Sequence, residues 1–236
     1  MPARLPRRTL PGSPLGWNTT DDLESEATMT PAPPRHRRWR FPVLTTVALS
    51  LTAAVTASRL AGPGVVDALR RDPSALRSGQ LWRLLSPVLV QTDRSVLVVV
   101  GVLVAAAVVG AVAEQVFPPR RWIALYLVGA LVGHGLGEVF QPRQGGTSVA
   151  FAALLGGLAA YALRRTSRVP AVLRVEAVVA IPLAVADTVA RDIHGLPFLA
   201  GLALTVLWLH RDATAHSRAA PAPRPRPAEL PATADR

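Results

Sequence analysis

The apolar residues of this chain come in blocks, each close to the length of a helix that crosses a membrane. Half of the 236 residues are hydrophobic. A helix rises about 1.5 Å per residue, so about 20 apolar residues cross the hydrocarbon core of a bilayer. Six segments fit this length: Pro42–Leu60, Ser95–Ala113, Trp122–Phe140, Gly145–Leu163, Ala171–Ala190 and Ile193–His210. The pattern predicts an all-α membrane protein with six transmembrane helices.

Composition divides the chain into three regions. Residues 1–40 are rich in Pro, Arg, Ser and Thr, and residues 212–236 are dominated by Ala, Pro and Arg. Such stretches bury too little apolar surface to fold, so both are predicted to be disordered tails beside a six-helix membrane domain at 41–211. The segment Ala61–Arg94 is too polar to cross a bilayer. It is expected to form a long first outer loop with short amphipathic pieces.

The basic residues indicate the orientation of the chain. All of them are arginine, which favours a GC-rich bacterial genome, and the net charge is +11. Arginines are more numerous at the span ends on the side of the two termini. The positive-inside rule therefore predicts a multi-pass protein of the bacterial plasma membrane with both termini in the cytoplasm. The excess charge favours anionic lipid at the cytoplasmic face as a partner, and not nucleic acid.

Two polar side chains stand at the starts of two predicted spans. Gly145-Gly146-Thr147-Ser148 opens the fourth span, and His194 stands at the start of the sixth. Both spans are predicted to run from outside to inside, which places the two side chains at comparable depth. A hydroxyl beside an imidazole makes a serine nucleophile and its base. The free N–H groups at the start of a helix suit a developing oxyanion beside Ser148.

Small residues on the same two spans predict that their backbones approach closely, as such residues do in membrane helix pairs. The fourth span carries Ala152, Ala153, Gly156 and Gly157, and the sixth carries Gly195, Ala200, Gly201 and Ala203. Close approach is what a short serine side chain needs to reach an imidazole at roughly 3 Å. The small residues therefore support the same Ser148–His194 pair.

Four motifs between Gly79 and Leu209 occur in an order and spacing that resemble one known family. The first is Trp82-Arg83, within Gly79–Leu85, and the second is Gly110-x-x-x-Glu114. The third is Gly146-Thr147-Ser148 followed by Gly156, and the fourth is His194 followed by Gly201. They resemble, in this order, the Trp-Arg motif of the first outer loop, the end of the second span, the nucleophile motif and the sixth-span motif of the rhomboid family of intramembrane serine proteases. The pattern also resembles divergent rhomboid-like proteins of actinobacteria.

The resemblance implies six helices around a short fourth span, with a water-filled cavity open to the outside. It implies that Ser148 attacks a peptide bond of a membrane-spanning protein substrate and that His194 exchanges the proton. Gly146 and Thr147 would support the oxyanion, and Trp82, Arg83, Glu114, Gly156 and Gly201 would be structural. No cofactor and no metal are implied.

The chain departs from the family pattern at four positions. The second span of the family usually carries His-x-x-x-Asn, whose side chains help to hold the oxyanion, and the corresponding positions here are Val98 and Val102. The residue after the nucleophile is usually Gly and here is Val149, while Pro197 replaces the first glycine after the histidine. Losing one oxyanion donor typically costs about 10²–10³-fold in rate.

Two other functions stay open at the sequence level. One is a catalytically weak or inactive rhomboid-like protein that binds a client membrane helix without cutting it. The other is a small transporter or a metal site formed by His134, Glu138, Asp187 and His194, because polar clusters within membranes often serve transport. Cysteine chemistry is excluded because the chain has no cysteine.

Two of the structural motifs carry specific expectations. Trp82-Arg83 is expected to anchor the outer loop at the interface, with Trp at the headgroup level and Arg reaching lipid phosphate. Glu114 is expected to contact Arg120 and Arg121 at the inner surface.

Overall fold

The computed structural model describes residues 39–93, 95–165 and 169–219. All regular secondary structure in these ranges is helical. The α-helices are α1 (Val43–Ala57), α2 (Gly64–Leu69), α3 (Pro73–Arg77), α4 (Val96–Val116), α5 (Pro119–Phe140), α6 (Ser148–Arg164), α7 (Ala171–Val189) and α8 (Gly195–Ala219). Most of the two predicted tails, residues 1–38 and 220–236, lies outside the described residues.

Each of the six apolar blocks coincides with one of the long helices, so the prediction that these blocks are helical is confirmed. Three helical segments among the described residues are long and apolar enough to cross a membrane: Val43–Leu60, Val96–Val116 and Pro119–Phe140. Helix α6 is apolar but shorter. The chain is thus an all-α protein with the character of a membrane protein.

Helix α8 continues to Ala219, beyond the predicted start of the C-terminal tail at residue 212. The helix thus extends into the region predicted as the C-terminal tail, and the disorder predicted for residues 212–236 stays a prediction. Ala213, Ala215 and Ala219 are strong helix formers, and the next residue that would break a helix is Pro221.

The loop between α1 and α4, called the outer loop after its predicted side, folds into short helices as predicted: α2, α3 and two 3₁₀ turns at Leu81–Leu84 and Ser86–Leu89. The Asp72 side chain caps α3 by accepting from the backbone N–H groups of Ser74 and Ala75.

Arg83 holds this loop together from within. Its NH1 atom donates to the carbonyl oxygens of Arg70 at 2.7 Å and Asp67 at 3.2 Å, and its Nε donates to Gln80 Oε1 at 2.8 Å. The expectation that Arg83 reaches lipid phosphate is wrong, because its guanidinium is buried among loop carbonyls. Trp82 is exposed, which agrees with an interfacial position.

Glu114 contacts the start of α1. Its carboxylate accepts from the backbone N–H groups of Leu44 and Thr45 and from the Thr45 hydroxyl. A carboxylate is favoured at a helix N-terminus, where N–H groups lack intrahelical partners. Gly110, one turn earlier, leaves room for Thr45, since an added Cβ would lie 2.6 Å from the threonine side chain. The spacing Gly110-x-x-x-Glu114 therefore makes one face of α4 fit α1.

The expected contact of Glu114 with Arg120 and Arg121 is wrong. Arg121 instead forms an ion pair with Asp212 of α8 at 2.7 Å. Its guanidinium also lies over the Trp208 ring, 5.4 Å from the ring centroid. This end of α5 is therefore attached to α8.

Helix α6 lies at the centre and contacts α4, α5, α7 and α8. Its closest neighbour is α8, where Gly156 faces the Phe198 carbonyl and Gly201 faces the Ala153 carbonyl so closely that neither glycine has room for a Cβ. Gly157, further along α6, meets Thr205, further along α8. Ala153 meets Gly201, and four residues later on each helix Gly157 meets Thr205, so α6 and α8 run parallel with their first residues at the same end.

Gly156→Ala tests this packing. The added methyl group overlaps the Phe198 backbone, which cannot rotate away, so we expect a loss of about 1–3 kcal/mol in the free energy of unfolding. Thermal unfolding in detergent measures the change. The control is Gly101→Ala on α4, where an added Cβ meets nothing within 4 Å. The control should leave the midpoint unchanged or raise it, and equal midpoints for both variants would contradict the packing argument.

Candidate active site

The residues before Ser148 form a loop that is hydrogen-bonded to the outer loop. The Thr92 hydroxyl bonds both the N–H and the carbonyl of Gly145 at 3.1 Å, and the Gly146 N–H donates to the Pro87 carbonyl at 3.0 Å. Because these backbone groups are used across the loop, the helix begins at Ser148 and not at Gly145 as predicted.

Thr147 joins the same loop to α5. It is fully buried, and its hydroxyl lies 3.1 Å from the Tyr126 hydroxyl. The Tyr126 ring stacks on Trp122 with centroids 5.1 Å apart, and Phe151 of α6 packs edge-on against both rings. Thr147 therefore positions the start of α6 and does not itself face the open site.

Ser148 and His194 meet in the structure. Ser148 Oγ lies 2.8 Å from His194 Nε2, which is hydrogen-bond distance between a nucleophile and its base. Ser148 is the first residue of α6, and His194 directly precedes α8, so the parallel packing of these helices brings the side chains together. The predicted contact is present, and the catalytic role of the pair stays a prediction.

Asp192 adds a third residue to the Ser148–His194 pair, and it was not among the site residues predicted from the sequence. Its Oδ1 lies 2.7 Å from His194 Nδ1 and accepts from the His194 backbone N–H at 2.8 Å. The turn that places it includes Arg191 with φ of 62° and a bond from the Asp192 N–H to the Asp187 carbonyl at 2.8 Å. An aspartate two residues before the histidine was the available signal, since Asp side chains commonly bond backbone two residues on.

The environment of Asp192 favours the carboxylate. Partial burial raises its pKa, but the hydrogen bonds from the backbone and ring of His194 outweigh that effect, and the pKa is lowered overall. An ionised Asp192 requires a proton on Nδ1, which leaves Nε2 of a neutral imidazole to accept from the Ser148 hydroxyl. The hydrogen-bond network thus assigns the tautomer that a serine nucleophile needs.

The start of α6 supplies backbone donors beside the nucleophile. Ser148 and Val149 are its first two residues, and the first N–H groups of a helix have no intrahelical acceptor. The positive end of the helix dipole favours a negative oxygen there. Gly146 leaves the approach open, since its missing Cβ would border the Ser148 hydroxyl at 3.4 Å.

The valines that depart from the family pattern have different surroundings. Val149 is fully buried and fills the space that Gly133 of α5 leaves empty, where an added Cβ would overlap the Val149 side chain. Gly133 therefore makes room for Val149 where α5 and α6 pack together. Val98 on α4 is exposed and Val102 is half-buried, so α4 offers no polar side chain at these two positions.

The residues predicted as an alternative metal or transport site, His134, Glu138, Asp187 and His194, do not form a common cluster. Arg71, which is fully buried, places NH1 3.0 Å from His134 Nδ1 and donates from Nε to the Gln141 carbonyl at 3.1 Å. Asp187 is exposed on α7. Within the described ranges, no group of three or more His, Asp and Glu side chains is spaced to hold a metal ion.

Arg71 instead fastens the outer loop to the end of α5. It crosses the face of α5 at Gly137, where a Cβ would lie 2.5 Å from its NH1 atom, and its backbone N–H donates to the Gln144 carbonyl. Burial lowers the pKa of Arg71 to about 10, although the Glu138 carboxylate acts in the opposite direction. The guanidinium therefore stays charged at neutral pH and holds the loop that leads to Ser148.

No protein-family model matches the chain, and no curated protein matches it. The function has to be argued from the geometry of the site.

Asp192→Asn tests the charge of the third residue. The folded-state pKa of Asp192 lies below the unfolded value of about 3.9, so its stabilising effect is present above that value and is lost as the pH falls through the folded pKa. The wild type should unfold at a higher temperature than the variant near pH 6, and the difference should shrink towards pH 3. The effect is small, because the carboxylate is 41% exposed and solvent screens it. A difference that grows on acidification would contradict the assignment.

Proposed function

We propose that this chain is a rhomboid-like intramembrane serine protease that cleaves a peptide bond of a membrane-spanning protein. The observation that carries the proposal is the continuous chain from Ser148 Oγ to His194 Nε2 and from His194 Nδ1 to Asp192, with both bonds under 3 Å. A serine, a histidine and an acid in this order form the general arrangement of serine hydrolases. The open side of the site agrees with a large substrate, since the His194 side chain is 41% exposed.

The proposal includes six membrane spans with both termini in the cytoplasm of a bacterial cell. Three apolar helices support membrane insertion directly. Helices α6 and α8 pack against α5, and α7 packs against α6 and α8, which supports the remaining spans. The loop between α1 and α4 contacts Gly145, at the same end of the bundle as Ser148. Together with the arginine distribution, this contact supports a site on the outer side. Arginines at the other end suit anionic lipid.

The reaction follows from the positions of the three side chains. His194 Nε2 takes the proton as Ser148 Oγ bonds to the carbonyl carbon, and the carbonyl electron pair moves onto its oxygen. The backbone N–H groups of Ser148 and Val149 stabilise that negative oxygen. The intermediate collapses, the amine leaves with the proton from His194, and water then hydrolyses the acyl-serine by the same steps. Asp192 stabilises the imidazolium without accepting its proton.

A rhomboid-like protein that binds membrane helices without cutting them is the second candidate. The apolar Val98 and Val102 favour it, because α4 then provides no oxyanion donor at these positions. The two candidates share the fold and differ in the reactivity of Ser148.

Labelling by a fluorophosphonate probe in detergent separates the candidates. A protease should be labelled at Ser148. Labelling should vanish in Ser148→Ala and slow by about 10²–10⁴-fold in His194→Ala, because the general base is lost. The measurement is the second-order labelling rate, with mass spectrometry to locate the adduct.

Two matched substitutions control this experiment. Ser78→Ala and His210→Ala change the same residue types at exposed positions, Ser78 directly after α3 and His210 on α8. Both variants should be labelled at the wild-type rate. Folded wild-type protein that is not labelled at Ser148 would refute the protease and favour the binding protein.

A further inference from the structure

Gln91 lies in the segment that is fastened to the nucleophile loop. Its neighbours Val90 and Thr92 contact Gly145, and its own backbone N–H donates to the Thr56 hydroxyl of α1 at 2.9 Å. The backbone of Gln91 is thus held between α1 and the loop before Ser148. The side chain therefore extends from a backbone position beside that loop.

The side-chain amide of Gln91 is buried without a partner for its donor. The residue is 1% exposed, and Nε2 has no hydrogen-bond partner among the described residues. Leaving a buried amide donor unpaired costs free energy, and native proteins seldom do so without a reason. The amide therefore has hydrogen-bonding capacity that no described residue uses.

The amide and the nucleophile border the same small space. The position that a Cβ of Gly146 would occupy lies 3.4 Å from Gln91 Oε1 and 3.4 Å from Ser148 Oγ. Glycine at this position therefore leaves a gap of methyl size between the amide and the hydroxyl. Rotating the amide by 180° exchanges Oε1 and Nε2 without moving any other group, so an N–H of Gln91 can face this gap.

We propose that Gln91 is the side-chain donor of the oxyanion site, a role that rests on the protease function proposed above. When Ser148 Oγ bonds to the carbonyl carbon, the electron pair that moves onto the carbonyl oxygen makes it an acceptor, and Gln91 Nε2 donates to it. The proton of Ser148 still goes to His194. Gln91 thereby supplies from the outer loop the donor that α4 lacks at Val98 and Val102.

Gln91→Met tests the proposal, because methionine keeps the length and volume of glutamine without any N–H group. We expect the rate of Ser148 labelling by a fluorophosphonate, whose phosphoryl oxygen occupies the oxyanion site, to fall about 10²-fold. Thermal stability should stay the same or rise, since the substitution removes a buried unpaired donor. Gln144→Met is the matched control, an exposed glutamine of the loop before Ser148 that should keep the wild-type rate.

The possible results separate the proposed role of Gln91 from the protease function on which it rests. If the wild type is labelled at Ser148 and Gln91→Met is labelled at the same rate, Gln91 is not a donor and the protease proposal stands. If folded wild type is not labelled, both proposals fail. If Gln91→Met does not fold, Gln91→Leu replaces it, since leucine is apolar and has no side-chain N–H to donate. The same loss of labelling is expected.

Discussion

The direct backbone contact between α6 and α8 is the feature on which the candidate site depends. Gly156 and Gly201 each meet a carbonyl of the opposite helix, so the two backbones approach as closely as helices can. Because the helices are parallel, this contact also brings their first residues together. The distance of 2.8 Å between Ser148 and His194 follows from packing one to two turns further along the pair.

The outer loop is the second support of the site. Arg71 and Arg83 are both buried, and they bond loop carbonyls and the end of α5 instead of facing lipid. Thr92 and Pro87 then hold the Gly145–Gly146 backbone, which sets where α6 begins. The loop is therefore part of the site, and it carries Gln91 to within reach of the nucleophile.

Much of this arrangement could be predicted from residue types and spacing. Blocks of apolar residues predict the long helices, because a helix is the structure that satisfies the backbone inside a membrane. Small residues on the fourth and sixth blocks predict their close contact, and the contact confirms it. The partners of Glu114 and Arg83 were predicted wrongly, because charge alone does not show whether a side chain meets an ion, a helix N-terminus or a buried carbonyl.

Periodicity and composition alone are enough to predict the helices, their small-residue faces and the candidates Ser148 and His194, since those properties are local or repeat along one helix. The positions of Asp192 beside His194 and of Gln91 near Ser148 were decided only by the tertiary structure. Their roles come from a left-handed turn at Arg191 and from a loop packed beside Gly146, and neither leaves a periodic signal in the chain. Hydrogen bonds between segments far apart in sequence depend on how the helices pack, and that is a property of the folded molecule.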